Sequence, residues 1–241
     1  MSLATRAAEQ QRTQQGLMVL LAQEMAALWQ IITLGEFART VPEWQAAAIA
    51  VTRRYALAAT TAAADYYEAE REAAGAVGPF TVELADIPPE KAERSLSWAV
   101  KDLWLPEEEE PPPIEERMQA AQTKVVGVAE KLVEDAARDT VIDATHADPQ
   151  ARGWARYARA GACDFCALLA IRGAVYSEDT VRFRAHDHCT CWAVPVFRGQ
   201  QWEPPEHVRE WQRIYREATR DVTGSRAARA AFRRALTEAG Q

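Results

Sequence analysis

The sequence predicts a mainly α-helical protein in which a bundle of long helices precedes a small α+β module. Apolar residues recur every three or four positions over much of residues 1–150, which is the spacing of a buried helical stripe. From Gly153 onward, short alternating segments bounded by glycine and proline replace that pattern. All four cysteines of the chain also fall in this second part, between Cys163 and Cys191.

The first two helices are predicted from long apolar stripes. The first stripe, which includes Leu21 and Met25, predicts one helix from about residue 2 to residue 37. Gln, Arg and Glu dominate its first dozen residues, a composition that favours projection from the body or fraying. The segment Thr40-Val-Pro42-Glu43 has the hydroxyl, proline and acid typical of a helix start, and it predicts a second helix that runs to Gly75.

Two further helices are expected on either side of an acidic, proline-rich linker. The third begins at the segment Asp86-Ile-Pro88-Pro89-Glu90 and ends near Leu103, and the fourth begins at Ile114 and ends near His146. Four glutamates and three consecutive prolines between them are typical of a solvated, extended segment. The predicted parts are an N-terminal helical region (1–105), the linker (106–113), a long connecting helix (114–150) and a C-terminal module (151–241).

The net charge changes sign between residues 1–150 and residues 151–241, at the boundary between the helices and the C-terminal module. The net charge is −7, but residues 151–241 contain 15 arginines, no lysine and 10 acidic residues, which leaves +5 there and −12 in residues 1–150. The acidic part is not expected to bind nucleic acid unaided, whereas the arginines can contact phosphate or an acidic partner.

Neither a membrane nor an oxidising compartment is indicated. No apolar run approaches the roughly 20 residues of a membrane span, and the first residues lack the architecture of a signal peptide. We therefore expect no membrane partner and a reducing cytosol, in which clustered cysteines bind metal more often than they form disulfides.

The cysteines form two groups whose spacing is typical of a zinc site. Cys163 and Cys166 make a C-x-x-C knuckle, and His186, Cys189 and Cys191 make an H-x-x-C-x-C run. Thiolate and imidazole are preferred zinc ligands, and four of them in a tetrahedron hold structural zinc. We predict a Cys₃His site formed by the knuckle, the histidine and one of the last two cysteines. The C-terminal module is thus predicted to be zinc-stabilised.

Other interpretations of these residues stay open. A Cys₄ site is the second choice, and His188 ranks last because an extended segment would point it away from Cys189. A cluster of unligated or oxidised thiols is the alternative without metal, and no βαβ pattern supports a thioredoxin-like motif. Cys163 and His186 could formally pair as nucleophile and base. Since four cysteines at metal spacing favour coordination, and the chain has no G-x-S-x-G or H-E-x-x-H motif, we predict structural zinc and no enzyme activity.

Three segments of residues 153–197 carry a family resemblance: Gly153-Trp-Ala-Arg156, Cys163 to Tyr176, and Ala185 to Cys191. They resemble the C-terminal domain of phage Mu F-like minor head proteins, in the branch carried by tailed phages and prophages of actinobacteria. The family's C-x-x-C and H-x-x-C-x-C motifs match the five candidate ligands named above. The proline usual beside the first cysteines is replaced here by Ala162 and Asp164.

This resemblance implies a minor structural protein of the phage head, associated with the portal or capsid and involved in head assembly and in DNA packaging or delivery. The implied partners are the portal protein and the major capsid or scaffold protein, with packaged DNA as a further partner of the arginine-rich module. The implied location is the virion, in the head interior or at the portal vertex, and the host cytoplasm before assembly. Some relatives carry a capsid maturation protease label, so a protease is the first alternative and a nonspecific DNA-binding head protein is the second.

Overall fold

The computed structural model describes residues 1–105, 111–174, 183, 185 and 189–240, and confirms the predicted mainly α fold. Most of the predicted linker, residues 106–110, lies outside the described residues. The helices of the described part are α1 (Leu3–Leu28), α2 (Phe37–Ala73), α3 (Pro89–Val100), α4 (Ile114–Ala147), α5 (Asp164–Ala170), α6 (Glu206–Ala218) and α7 (Ser225–Glu238). The strands are β1 (Ala151–Tyr157) and β2 (Trp192–Phe197), and short 3-10 helices cover Trp29–Ile31 and Lys101–Trp104.

Helix α4 lies at the centre of the molecule. It packs against α1, α2 and α3 and also against both strands. Both α2 and α4 carry small buried side chains, among them Ala59 and Ala63 of α2 and Ala129 and Ala137 of α4. Side chains of this size let two helix axes approach closely. One cluster of buried hydrophobic residues therefore extends from the N-terminal helices into the C-terminal part, and the division into separate domains stays a prediction.

The start of α1 differs from the expectation that it projects or frays. Ala7 is fully buried, and Gln10 and Gln14 are also buried. Their amide nitrogens donate to carbonyl oxygens of α2, Gln10 to Ala62 at 3.2 Å and Gln14 to Ala59 at 3.0 Å. A polar helix face is thus packed into the interior because its amides hydrogen-bond to the neighbouring backbone.

The boundary between the first two helices also differs from the prediction. Helix α1 ends at Leu28, and α2 begins at Phe37 after a turn in which Gly35 has a φ of 82°. That conformation favours glycine. The hydroxyl of Thr40, expected to cap α2, instead accepts the backbone N–H of Thr33 at 3.2 Å and so fixes the turn before the helix.

Asp148 connects the end of α4 to the start of β1. One carboxylate oxygen, Oδ2, accepts hydrogen bonds from Arg71 Nε at 2.8 Å and from the hydroxyl of Tyr67 at 3.3 Å, both on α2. The other, Oδ1, accepts the backbone N–H of Gln150 at 2.9 Å. Because the side chain of Asp148 is fully buried, this network determines the direction in which β1 leaves the bundle.

Candidate metal centre

The two strands bring the two cysteine groups to the same end of a small sheet. Strands β1 and β2 are antiparallel, and Tyr157, the last residue of β1, pairs with Trp192, the first residue of β2. The chain after β1 turns into α5, which carries Cys166, while Cys189 and Cys191 come immediately before β2. Antiparallel pairing therefore places segments that are distant in sequence beside each other.

Three sulfur atoms meet at this end of the sheet. The Sγ atoms of Cys166, Cys189 and Cys191 all lie within 4.8 Å of one another, and those of Cys166 and Cys189 are 3.4 Å apart. The residues are 2 %, 2 % and 3 % exposed, respectively. All four cysteines belong to the described part of the chain, and none of them is in a disulfide.

Cys163 has a different environment from the other three cysteines. It is the residue that precedes α5, it is exposed, and it does not belong to the three-sulfur group. His186 and His188 lie outside the described residues. The structure thus brings together three of the five predicted ligands, and the choice of a fourth from Cys163 or His186 stays a prediction.

The three-sulfur group fits a soft divalent metal. Zinc–thiolate bonds of about 2.3 Å in a tetrahedron put neighbouring sulfurs roughly 3.8 Å apart, which agrees with a cluster whose sulfurs lie within 4.8 Å of one another. Oxygen-preferring cations such as Mg²⁺ and Ca²⁺ are disfavoured, because sulfur is a poor ligand for them. These residues could hold a metal ion.

Mutual hydrogen bonding gives the three thiols different acidities. The pKa of Cys189 lies far below its usual range, mainly because its thiolate accepts hydrogen bonds from Cys166 and Cys191, with a smaller contribution from the charge of Arg138. Hydrogen bonding to Cys189 and Cys191, together with burial, raises the pKa of Cys166. For Cys191, hydrogen bonding to Cys166 lowers the pKa, but Cys189 and burial outweigh it and raise the pKa to about 12. Cys189 is thus the thiol that ionises first.

Arg138 of α4 holds the loop that carries Cys189 and Cys191. Its Nε donates to the carbonyl oxygen of Cys191 at 2.9 Å, and its Nη2 donates to the carbonyl oxygen of Cys189. The guanidinium also bonds Glu134 at 2.6 Å and Asp135 at 3.2 Å, and the residue is only 2 % exposed. Sequence reasoning missed this arginine because Glu134 and Arg138 have the i, i+4 spacing of an ordinary surface ion pair. Its position among Val133, Ala137 and Val141, all fully buried, is the signal that could have identified it.

Aromatic and cationic side chains pack beside the loop. The ring of Phe183 stacks on Trp154 with centroids 5.4 Å apart. The guanidinium carbon of Arg156 lies 3.6 Å from the Phe183 centroid and that of Arg138 lies 5.2 Å from it. Arginine over an aromatic face is a favourable cation–π arrangement when desolvated, so Phe183 adds a side-chain contact between β1 and α4.

The N-terminal helix also contacts the cysteine loop. The side-chain amide of Gln11 on α1 donates to the carbonyl oxygen of Thr190, which lies between Cys189 and Cys191. Two bundle helices, α1 and α4, therefore bind three consecutive carbonyl oxygens of this loop. The candidate metal centre is part of the interface between the bundle and the sheet.

Comparison with known proteins identifies one family. No curated protein and no solved structure matches this chain. Among the described residues, none of the helices combines the length and the apolar character needed to cross a membrane. The model of the VG15 protein family matches residues 1–218, which include the helical bundle, the cysteine cluster and α6. The chain therefore belongs to the VG15 family, a family of viral and phage proteins.

Proposed function

We propose that this chain is a minor structural protein of a tailed-phage head, associated with the portal or the capsid. The observation that carries the proposal is the VG15 family match, which spans both the bundle and the cysteine-bearing part. Membership of a phage family supports association with the virion. The resemblance of residues 153–197 to Mu F-like minor head proteins supports the narrower role in head assembly and in DNA packaging or delivery.

The cysteine cluster, in this proposal, holds a structural zinc ion. Cys166, Cys189 and Cys191 supply three sulfurs, and Cys163 or His186 supplies the fourth ligand. A sheet of two strands is marginally stable by itself, and zinc would add a cross-link between α5 and the loop before β2. The zinc is therefore proposed to stabilise the surface that the C-terminal part offers to its partners.

A structural role suits the three sulfurs better than catalysis does. Each of the three cysteines is at most 3 % exposed, whereas a nucleophile must reach its substrate with a base in contact. The donor groups of Arg138 are directed at backbone carbonyl oxygens and at Glu134 and Asp135. A capsid maturation protease is the alternative enzyme hypothesis. The burial of these three sulfurs does not bear on its candidate pair, which is Cys163, an exposed residue, and His186, which lies outside the described residues.

The proposed partners are the portal protein and the major capsid or scaffold protein. Packaged DNA is a further proposed partner of the arginine-rich C-terminal part. Several arginines there are committed to acidic neighbours: Arg213 pairs with Glu217 at 3.0 Å, and Arg229 and Arg233 both contact Asp164. Exposed arginines such as Arg209, Arg226 and Arg234 are the better candidates for phosphate contacts. DNA binding through them would fall steeply with salt.

The test is the composition of virions of the phage that encodes this chain. Quantitative mass spectrometry of purified particles should find the chain at low copy number relative to the major capsid protein. Co-expression with the portal protein should recover a complex at low salt. A chain that is absent from particles and binds neither portal, capsid nor scaffold protein would overturn the proposal. A capsid protein whose cleavage depends on Cys163 or His186 would instead support the protease.

A further inference from the structure

All four lysines of the chain lie beside one tryptophan or along the groove that it lines. Lysine occurs only at positions 91, 101, 124 and 131. The ammonium nitrogen of Lys101 lies 5.6 Å from the ring centroid of Trp98, and that of Lys124 lies 5.7 Å from it. Lys91 and Lys131 line the same groove as Trp98. The four residues belong to α3, the 3-10 helix after it and α4, so this concentration of lysines results from helix packing.

The groove lies between α3 and α4 and combines an apolar floor with a cationic rim. It encloses about 300 Å³ and is lined by Trp98, Val128 and Leu132, with Lys91, Arg94 and Lys131 around them. Trp98 is 50 % exposed. A half-exposed tryptophan beside aliphatic side chains is a common anchor point for a partner side chain.

Part of the positive charge at the groove has no acidic counterpart within the described chain. Lys124 pairs with Asp102, and Lys131 pairs with Asp135 at 2.7 Å. Lys91, Arg94 and Lys101 have no ion pair with any described residue. These three cations lie in the half of the chain whose net charge is −12. The groove is thus a small basic island on an acidic protein.

We propose that this groove binds a short acidic segment of a partner protein, with an apolar side chain of that segment against Trp98. The carboxylates of the segment would pair with Lys91, Arg94 and Lys101, and the apolar side chain would enter the space above Val128 and Leu132. An amphipathic acidic helix laid along two helices is a familiar mode of this kind. The proposal rests on this surface alone and does not depend on the role in the phage head.

The chemistry of the groove favours a peptide over a nucleic acid. A phosphate backbone repeats its charge along the strand and is bound by an extended basic stripe. Here the cations are grouped at one cavity and beside the Trp98 ring, and Asp102 and Asp135 pair with two of them. The rest of the acidic half would repel a long polyanion at both sides of the groove. A segment with a few carboxylates and one anchor avoids that repulsion.

The test uses the full chain and a synthetic amphipathic peptide of about 16 residues, with leucine on one helical face and glutamate on the other. Fluorescence anisotropy should detect binding at low salt that weakens as salt is added, because Arg94 and Lys101 are exposed and salt screens exposed charges. Trp98→Ala should weaken binding about tenfold or more, the effect expected for an anchor residue. The double variant Lys91→Glu/Arg94→Glu should weaken it similarly and flatten the salt dependence.

Matched controls separate the groove from general effects of sequence and charge. Trp104 has the same 50 % exposure as Trp98 but does not line the groove. Arg226 and Arg234 are exposed on α7. Trp104→Ala and Arg226→Glu/Arg234→Glu should each leave the affinity unchanged to within about twofold. Circular dichroism melts of all variants should remain similar, since every substituted side chain is exposed except that of Lys91, which is partly buried.

Three outcomes would overturn the proposal. The first is the absence of peptide binding at low salt, or equal binding by wild type and Trp98→Ala. The second is tighter, Trp98-dependent binding of single-stranded DNA, which would make the groove a nucleic-acid site. The third is concentration-dependent self-association that Trp98→Ala abolishes without any peptide binding, which would make the groove an interface between two copies of the chain.

Discussion

Arg138 on α4 donates its Nε–H to the carbonyl oxygen of Cys191 at 2.9 Å, and a second N–H of the same guanidinium reaches the carbonyl of Cys189. That second nitrogen, Nη2, also pairs with Glu134 at 2.6 Å, and Nη1 pairs with Asp135 at 3.2 Å. A buried charge is tolerated only when it is paired and hydrogen-bonded, so the arginine ties the backbone of the cysteine loop to the central helix. The bundle therefore positions two of the metal-binding candidates through their backbone, independently of what their sulfurs bind.

Loss of the Arg138 side chain should destabilise the whole chain. Arg138→Met leaves the carboxylate of Glu134, which is only 6 % exposed, without its cation and leaves two loop carbonyls without donors. We expect the free energy of unfolding to fall by about 3–5 kcal/mol, as for other broken buried pairs. Urea unfolding followed by circular dichroism measures this loss.

Two comparisons make that measurement decisive. Arg213 pairs with Glu210 and Glu217 on the surface of α6, and Arg213→Met should cost no more than about 1 kcal/mol. The double variant Glu134→Met/Arg138→Met removes both charges and should recover a large part of the loss. If Arg138→Met and Arg213→Met have the same stability, the buried arginine does not hold the loop.

The Glu134 carboxyl should make stability depend on pH. Burial raises the pKa of Glu134 from 4.5 to about 7, against the opposing effect of Arg138. A raised pKa in the folded state means that folding favours the protonated form. Its stabilising contribution is therefore complete below about pH 4.5 and is lost as the pH rises to about 7, a change of about 3 kcal/mol.

Glu134→Gln provides the reference for this effect, because the amide does not titrate. The difference in unfolding free energy, wild type minus variant, should decrease between about pH 4.5 and about pH 8. The wild type and the Glu134→Gln variant both contain the cysteine cluster. Taking the difference between their unfolding free energies therefore removes the pH dependence that the cysteines contribute. Parallel stability curves for the two proteins over this range would show that Glu134 titrates normally in the folded state.

Local sequence patterns predicted those parts of the fold that depend on local physics. The stripe that starts at Ile114 gave the correct first residue of α4, because periodic burial and a preceding proline determine a helix start. The short alternating segments after Gly153 predicted an α+β module, and the two strands that pair, β1 and β2, lie in that part of the chain. Cysteine spacing predicted a cluster, and Cys166, Cys189 and Cys191 form one. The predicted boundary between α1 and α2 was less accurate. Thr40, expected to cap the start of α2, instead accepts a hydrogen bond from the backbone of the preceding turn.

Buried polar residues could not be predicted in the same way. A glutamine or an arginine in a helix is counted as solvent-facing by any periodic pattern. Gln11 is buried because it bonds the carbonyl oxygen of Thr190, 179 positions later in the chain. Arg138 is likewise buried because it bonds the carbonyl oxygens of Cys189 and Cys191, which are 51 and 53 positions later in the chain. Such contacts form only with the tertiary fold. A local pattern can therefore place Arg138 on a buried helix face, among Val133, Ala137 and Val141, but it cannot identify the carbonyl groups that the arginine binds.

The start of α1 provides a third prediction. Arg6 bonds both carboxylate oxygens of Glu70 on α2, with Nε to Oε1 at 2.7 Å, and the Glu70 side chain is fully buried. Arg6→Ala leaves that carboxylate buried and unpaired, and we expect a loss of about 3 kcal/mol. Hydrogen–deuterium exchange should show faster exchange in the first turns of α1, because local opening becomes easier when this pair is removed.

The exposed pair between Arg39 and Glu36 is the matched control for Arg6. Its two side chains are 61 % and 51 % exposed, so Arg39→Ala should change stability by less than about 1 kcal/mol. Unchanged exchange in α1 of the Arg6→Ala variant would mean that the helix start is held by Gln10 and Gln14 alone. The ion pair between Arg6 and Glu70 would then contribute no more to stability than an exposed pair does.

The proposed zinc is tested by metal analysis of the purified, reduced chain. It should contain about one zinc per chain, as a single structural site requires. Cys166→Ser and Cys189→Ser should each reduce the zinc content and lower the melting temperature, because a four-ligand site loses affinity with each ligand removed. A folded, reduced protein without zinc would overturn the metal proposal and leave a cluster of buried thiols.

Thiol reactivity distinguishes the two candidates for the fourth ligand. Cys163 is exposed, while the other three cysteines are buried, so without a metal an aromatic disulfide reagent should modify Cys163 first and the others only on unfolding. If Cys163 binds the zinc, its reaction is slow until a chelator is added, and Cys163→Ser lowers the zinc content. If His186 is the fourth ligand, Cys163 reacts at the same rate with and without the chelator, and His186→Ala lowers the zinc content instead.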